Sequence, residues 1–152
     1  LFRSGSRTGA FAVIGFGLYL VASLALWSEA KSEMLPVIGA GYVMSRSLSG
    51  LSVMVFPSAK KDGLGRTFQE QAHRKRVAVV MVCWFFAALA VMLMTSVQMG
   101  AAALCTALLV FWYYHHMAMK QFGGMTGDLA GYFLQLAELL ILAAVIVAGG
   151  AL

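Results

Sequence analysis

Long apolar runs separated by polar breaks fill the chain, and their lengths predict helices rather than strands. The runs cover residues 8–27, 35–57, 77–97, 100–117 and 129–149. An α-helix needs about 20 residues to cross a hydrocarbon layer ~30 Å thick, a length that every run but 100–117 reaches or approaches comfortably. Polar and apolar positions do not alternate within the runs, so the period of a half-buried strand is missing. Pro36 and Pro57 fall at the two ends of the second run, where proline is best tolerated. The connections at 28–34 and 98–100 are short, and 58–76 is long and basic. The pattern predicts an all-α, polytopic integral membrane bundle of about five transmembrane helices, forming a single membrane domain over residues 1–152. A signal-peptide reading of 8–27 is set aside, because the run is long for one and four similar runs follow.

Composition agrees with a bilayer as the surrounding medium. The chain is 61% hydrophobic and 11% charged, where soluble domains carry about 25% charged residues. The net charge of +5 is explained by position and calls for no nucleic acid. Of eleven Lys and Arg, nine lie before the first run, in 58–76, or between the fourth and fifth runs. With alternating spans, these three segments share one side, which the positive-inside rule makes cytoplasmic. The Gly-x-Gly at 63–65 and the Gly-rich turn at 123–128 then meet on one surface. The chain opens on Leu1, with Arg3 and Arg7 resembling the end of a loop, and so reads as a piece of a longer protein.

The turn Gly123-Gly124-Met125-Thr126-Gly127-Asp128 is poor packing material at the mouth of an apolar helix. Its glycines let backbone N–H groups approach an oxyanion, Thr126 adds a hydroxyl, and Asp128 offers a carboxylate to a divalent cation or caps the helix. Asp128, Gly131, Gln135 and Glu138 fall within about an 80° arc of that helix. Glu138 sits ~15 Å deeper than Asp128, at a depth similar to that of Arg46 in the second run. A charge there costs at least ~2.5–3.5 kcal/mol, so Arg46 is expected to face the protein and pair with Glu138, with Ser45, Ser49 and Ser52 nearby. The pair reads either as structural or as a substrate contact. The segment Ser58-Ala59-Lys60-Lys61-Asp62-Gly63-Leu64-Gly65-Arg66 combines cations with a flexible Gly-x-Gly, suited to a phosphate or diphosphate, or equally to anionic lipid headgroups.

Other features carry less. Arg74-Lys75-Arg76 is explained by topology alone. His115 and His116 point to different helix faces and lack a third ligand. Cys83 and Cys105 lie at different depths, too far apart for a disulfide, and read as buried thiols. The ten Met read as packing filler, and Gly15, Gly17, Gly39 and Gly41 as sites of close helix contact. No G-x-S-x-G, Walker loop or H-E-x-x-H occurs, so serine hydrolase, P-loop ATPase and zincin readings lack support.

Three stretches together resemble the cobalamin synthase (adenosylcobinamide-GDP ribazoletransferase) family. Arg7 and Gly9 match an element before a span. Arg46 matches an Arg within a span, and Ala59, Gly63-Leu64-Gly65 and Phe68 match the loop that follows it, with Lys60 in place of an Arg. The Gly-Gly-x-Thr-Gly-Asp-x-x-Gly turn at 123–131 and Glu138 match the third. Members of that family begin with further spans and an Asp-rich Mg²⁺-binding element. In this chain the six acids, Glu29, Glu33, Asp62, Glu70, Asp128 and Glu138, are scattered. The resemblance therefore implies the C-terminal part of a multi-pass enzyme of a prokaryotic inner membrane. It implies a Mg²⁺-dependent transferase joining α-ribazole or its 5′-phosphate to adenosylcobinamide-GDP with release of GMP. It implies Lys60, Lys61, Gly63, Gly65, Gly123, Gly124 and Thr126 at the phosphates, with Arg7 in support. Asp128 falls at the metal or reacting hydroxyl, and Arg46 with Glu138 around the bound substrate. A homo-oligomer is compatible with this reading. The competing class is a small transporter or channel subunit with Arg46 and Glu138 lining its path.

Overall fold

A computed structural model describes residues 9–58 and 73–150. Among them are five long helices: α1 (Ala10–Glu29), α2 (Leu35–Val55), α3 (Arg74–Thr95), α4 (Val97–Phe122) and α5 (Gly127–Ala148). A 3₁₀ turn at Ser32–Met34 leads into α2, whose second residue is Pro36. Each helix coincides with one apolar run. The fourth is not short at all, since α4 continues to Phe122 and is the longest, at 26 residues.

By length and composition, three helices qualify as membrane spans: α3, α4 and α5. The count rises to four if α1 and α2, which meet at a 109° bend, form one broken span. Three or four candidate spans among the described residues agree with the expected all-α, multi-pass membrane bundle. The middle of α2 carries Arg46 between Ser45 and Ser47, with Ser49 and Ser52 beyond. The four serines are buried inside the protein, because α2 is the central helix and packs on α3, α5 and α4, while the Arg46 side chain stays largely exposed.

Small residues permit the close approach that association in lipid requires. On α4 the buried positions Gly100, Ala103, Ala107, Val110, Tyr114 and Ala118 form one stripe, met by Phe133, Ala137, Ile141 and Val145 of α5. A Cβ on Gly41 would stand 2.7 Å from Cγ2 of Ile141, so this glycine sets the α2–α5 spacing. A Cβ on Gly100 would likewise stand 3.0 Å from the Met92 backbone. By contrast a Cβ on Gly15, Gly17 or Gly39 would meet nothing within 4 Å, so of the four glycines expected at contacts only Gly41 is at one.

The two ends of the bundle are distinct. Met34, Met99 and Gly149 pack together at one end. At the other, Ser58 pairs with Met125, and the Arg74 guanidinium donates to the Met54 carbonyl oxygen at 2.6 and 3.1 Å. Arg74 thereby satisfies an orphan carbonyl of α2, a structural role beyond charge topology. The helix α1 contacts chiefly α5 and has no buried residue among those described, with Ile14, Leu18, Val21 and Leu24 more than half exposed.

Candidate functional site

The 123–128 turn is shaped by the need to stop one helix and start the next. Gly123 takes φ 68°, the left-handed conformation that favours glycine, and Gly124 follows at φ 153°. The Gly124 N–H closes on the Ala118 carbonyl at 3.1 Å, a glycine-dependent helix end. Thr126 then caps α5, its Oγ1 accepting from the Leu129 N–H at 3.2 Å. The cap is therefore Thr126 and not Asp128. A threonine hydroxyl two residues earlier reaches the free N–H groups because α5 already begins at Gly127. Asp128 is left exposed in the first helical turn, where the helix dipole favours an anion.

The turn is pinned to the exit of α2. The Met125 N–H donates to the Pro57 carbonyl at 2.8 Å, and Ser58 and Met125 form a parallel bridge. Beneath them lies an aromatic floor that sequence reasoning missed. Tyr114, 1% exposed, stacks on Phe133 with ring centroids 5.0 Å apart, and its hydroxyl meets Ser52 Oγ at 3.4 Å. Phe56 packs on Tyr114 at 5.9 Å and edge-on to His115 at 4.6 Å. Tyr114 falls in line with the small residues of α4, a periodic signal for burial that was available in the sequence.

From this end the α5 stripe runs down an open face: Asp128, Gly131 and Gln135 are exposed, and Glu138 is partly so. Arg46 and Glu138 do form an ion pair, through Nη1 and Oε1. The Arg46 side chain is nevertheless 62% exposed and that of Glu138 17%, so Arg46 is paired without being enclosed. The serines do not serve it. Ser45 and Ser47 donate to the Tyr42 and Val43 carbonyls, Ser52 to that of Ser49, and all four of Ser45, Ser47, Ser49 and Ser52 are buried in the bundle. Tyr42 lies beside the pair and near Tyr19 of α1, with Trp27 edge-on at 6.4 Å.

Between α1 and α5, against the same stripe, opens a cavity of about 400 Å³ lined by Phe16, Tyr19, Tyr132, Gln135, Leu136 and Leu139. Its tyrosines carry no signal in the sequence beyond polar rings set in apolar runs.

Arg7, Lys60, Lys61, Gly63 and Gly65 lie outside the described residues. Among the described residues, no three His, Cys, Asp or Glu side chains gather to hold a metal. Mg²⁺ is commonly held by one or two carboxylates together with substrate phosphates and water. Asp128 fits such an open site and no closed cage. His115 and His116 follow the expectation of separate faces, His116 stacking on Trp112 at 6.0 Å. Cys83 and Cys105 are free thiols as expected but exposed, which corrects their assignment as buried: both lie on helix faces turned away from the bundle.

Comparison with known proteins converges on one family. Residues 4–146 match the family described as cobalamin-5-phosphate synthase, CobS. An adenosylcobinamide-GDP ribazoletransferase of Lachnoclostridium phytofermentans is 40% identical over 144 residues, covering 95% of this chain. The match extends over 55% of that relative, so the chain spans about half of its length. No solved structure matches the chain.

Proposed function

The chain belongs to the cobalamin-5-phosphate synthase family, and on that premise we propose that the protein it represents is an adenosylcobinamide-GDP ribazoletransferase. A ribose hydroxyl of α-ribazole, or of its 5′-phosphate, forms a bond to the phosphorus that bears cobinamide. The bond from that phosphorus to GMP breaks, and GMP leaves. Family membership favours this reading over the small transporter or channel.

The observation that carries the site is the backbone bond from Met125 to Pro57. It ties the turn leading to Asp128 to the start of the segment containing Lys60, Lys61, Gly63 and Gly65. Lys60 and Lys61 supply point charges to the diphosphate and to the departing GMP, and Arg7 supports them from the start of α1. Gly63 and Gly65 give phosphate oxygens access to backbone N–H groups, while Gly123 and Gly124, whose own N–H groups go to the Ala118 carbonyl, shape the turn that brings Thr126 to the phosphates. Asp128 receives the hydroxyl proton or holds Mg²⁺, whose chemistry there is neutralisation of charge on the diphosphate. The Arg46/Glu138 pair borders the bound substrate deeper along α5. The end bearing Ser58, Arg74 and Lys120 faces the cytoplasm across a prokaryotic inner membrane, as the positive charge there supports.

Membranes containing the full-length protein, given adenosylcobinamide-GDP, α-ribazole and Mg²⁺, are expected to release GMP in step with corrinoid product, and chelation is expected to stop both. Failure to release GMP would dismiss the assignment. Orientation is checked by single cysteines at Ser58 and Ser32 in a cysteine-free background, with only the latter labelled from outside.

A further inference from the structure

The cavity between α1 and α5 has no part in the phosphate chemistry, and its lining narrows what it can take. Phe16 and Tyr19 from α1 and Tyr132 from α5 give three aromatic walls, with Leu136 and Leu139 behind them. Tyr132 is about half exposed and presents its ring at the mouth of the cavity. Gln135 brings a carboxamide to this apolar box. At about 400 Å³ the space lies at the small end of the range for small-molecule sites.

Position adds a second argument. Gln135 follows Asp128 by seven residues, or ~10 Å along α5, on nearly the same face. Gly131 lies between them, and a Cβ there would meet nothing within 4 Å, so the path from carboxylate to amide has a bare backbone floor. One helix face thus presents an anion at the turn, a gap with room for a sugar, and a donor inside an aromatic box.

Resting on the transferase reading above, we infer that this cavity is the subsite for the aromatic base of the nucleoside nucleophile. A benzimidazole riboside enters base first and stacks among Phe16, Tyr19 and Tyr132. Its free ring nitrogen accepts a hydrogen bond from the Gln135 carboxamide. Its ribose lies over Gly131 and presents a hydroxyl toward Asp128. Benzimidazole is a bicyclic ring with one free acceptor, which the single carboxamide matches. Guanine carries several donors and acceptors, and each one buried without a partner costs about 1–3 kcal/mol. A corrin macrocycle is too large for the space, and a lipid chain leaves the Gln135 amide unmet.

The test uses the full-length protein in nanodiscs, read by the fluorescence of bound α-ribazole without the second substrate and by steady-state kinetics with both. Gln135→Leu removes the donor, and Gly15→Trp fills the cavity from a position where added atoms meet nothing within 4 Å. Each is expected to raise Kd and KM for α-ribazole roughly tenfold, the equivalent of about one hydrogen bond. The KM for adenosylcobinamide-GDP is expected to stay within about twofold of wild type, since a tenfold change is what one lost contact yields. Tyr19→Ala, which removes one aromatic wall, is expected to behave as Gly15→Trp. Unchanged α-ribazole binding in Gln135→Leu and Gly15→Trp overturns the subsite while leaving the transferase reading intact, as does an equal rise in both KM values. If the wild type releases no GMP, that reading falls. The titration then decides the cavity alone: saturable fluorescence lost in Gly15→Trp supports the subsite, and absence of saturable binding overturns it.

Discussion

The turn at 123–128 and the Arg46/Glu138 pair lie on the same helix, one at the start of α5 and one at its middle, but they are built in opposite ways. The turn is closed by local bonds, Gly124 N–H to the Ala118 carbonyl and Leu129 N–H to Thr126 Oγ1, aided by two glycines. The pair joins side chains 92 residues apart and leaves the Arg46 side chain 62% exposed. Most residues of the turn are accounted for by helix geometry alone; only Asp128 remains exposed with no structural task assigned. For the pair the reverse holds, because an exposed cation at such depth is costly against lipid tails. It needs water, protein or substrate beside it. The lesson is that a glycine-rich motif and a buried-looking charge call for different tests.

The sharpest way to break this comparison is Asp128→Asn. If Asp128 acts on the reacting hydroxyl or a metal, turnover falls by about 10²–10³-fold, the scale of losing one electrostatic group in a transition state. Insertion and helix content should not change, and complementation of a ribazoletransferase deletion at wild-type level would remove Asp128 from the site. Next in size is the coupling of Arg46 to Glu138. Glu138→Ala should destabilise more than Glu138→Gln, with an interaction energy of about 1–3 kcal/mol in a double-mutant cycle with Arg46→Ala. Additive effects would mean that the ion pair contributes nothing.

Gly41→Ala comes third, since its Cβ would stand 2.7 Å from Ile141. Overpacking of this kind costs typically 1–3 kcal/mol, measurable as a lower melting temperature in detergent. Gly39→Ala, with nothing within 4 Å, is the matched control. Smallest is Thr126→Ala, where loss of the cap costs ~1 kcal/mol and Thr126→Ser restores it. If instead Thr126→Ala abolished turnover at unchanged stability, the hydroxyl would act on substrate as well as on the helix end.

The helices were legible because apolar runs of this length leave the backbone one way to satisfy itself in lipid. The boundary of α4 was not, since Tyr113 to Gln121 lower the hydropathy without stopping the helix. Its end waits for the left-handed Gly123. The pairing of Arg46 with Glu138 was readable because each charge needs a partner at that depth. Its exposure was not, because it depends on how α1 sits against α5. The meeting of the two Gly-rich segments was expected from charge placement; the Ser58–Met125 bridge brings Ser58 to the 123–128 turn, while Gly63 and Gly65 lie outside the described residues. The aromatic floor required the third dimension, as Phe56 comes from the residue after α2, Tyr114 from α4 and Phe133 from α5.

The attachment of α1 also bears on how the protein is made. The chief neighbour of α1, α5, is encoded roughly a hundred residues later, and at about 5–20 residues per second its synthesis lags by on the order of 5–20 s. Through that interval α2, α3 and α4 can find one another while Phe16 and Tyr19 await their partners on α5. The cleft between α1 and α5 is thus assembled only with α5, together with the contacts of α5 to α2 and α4. Crosslinks among α2, α3 and α4 should already form on a ribosome stalled before Gly127, and those between α1 and α5 only after α5 has been released.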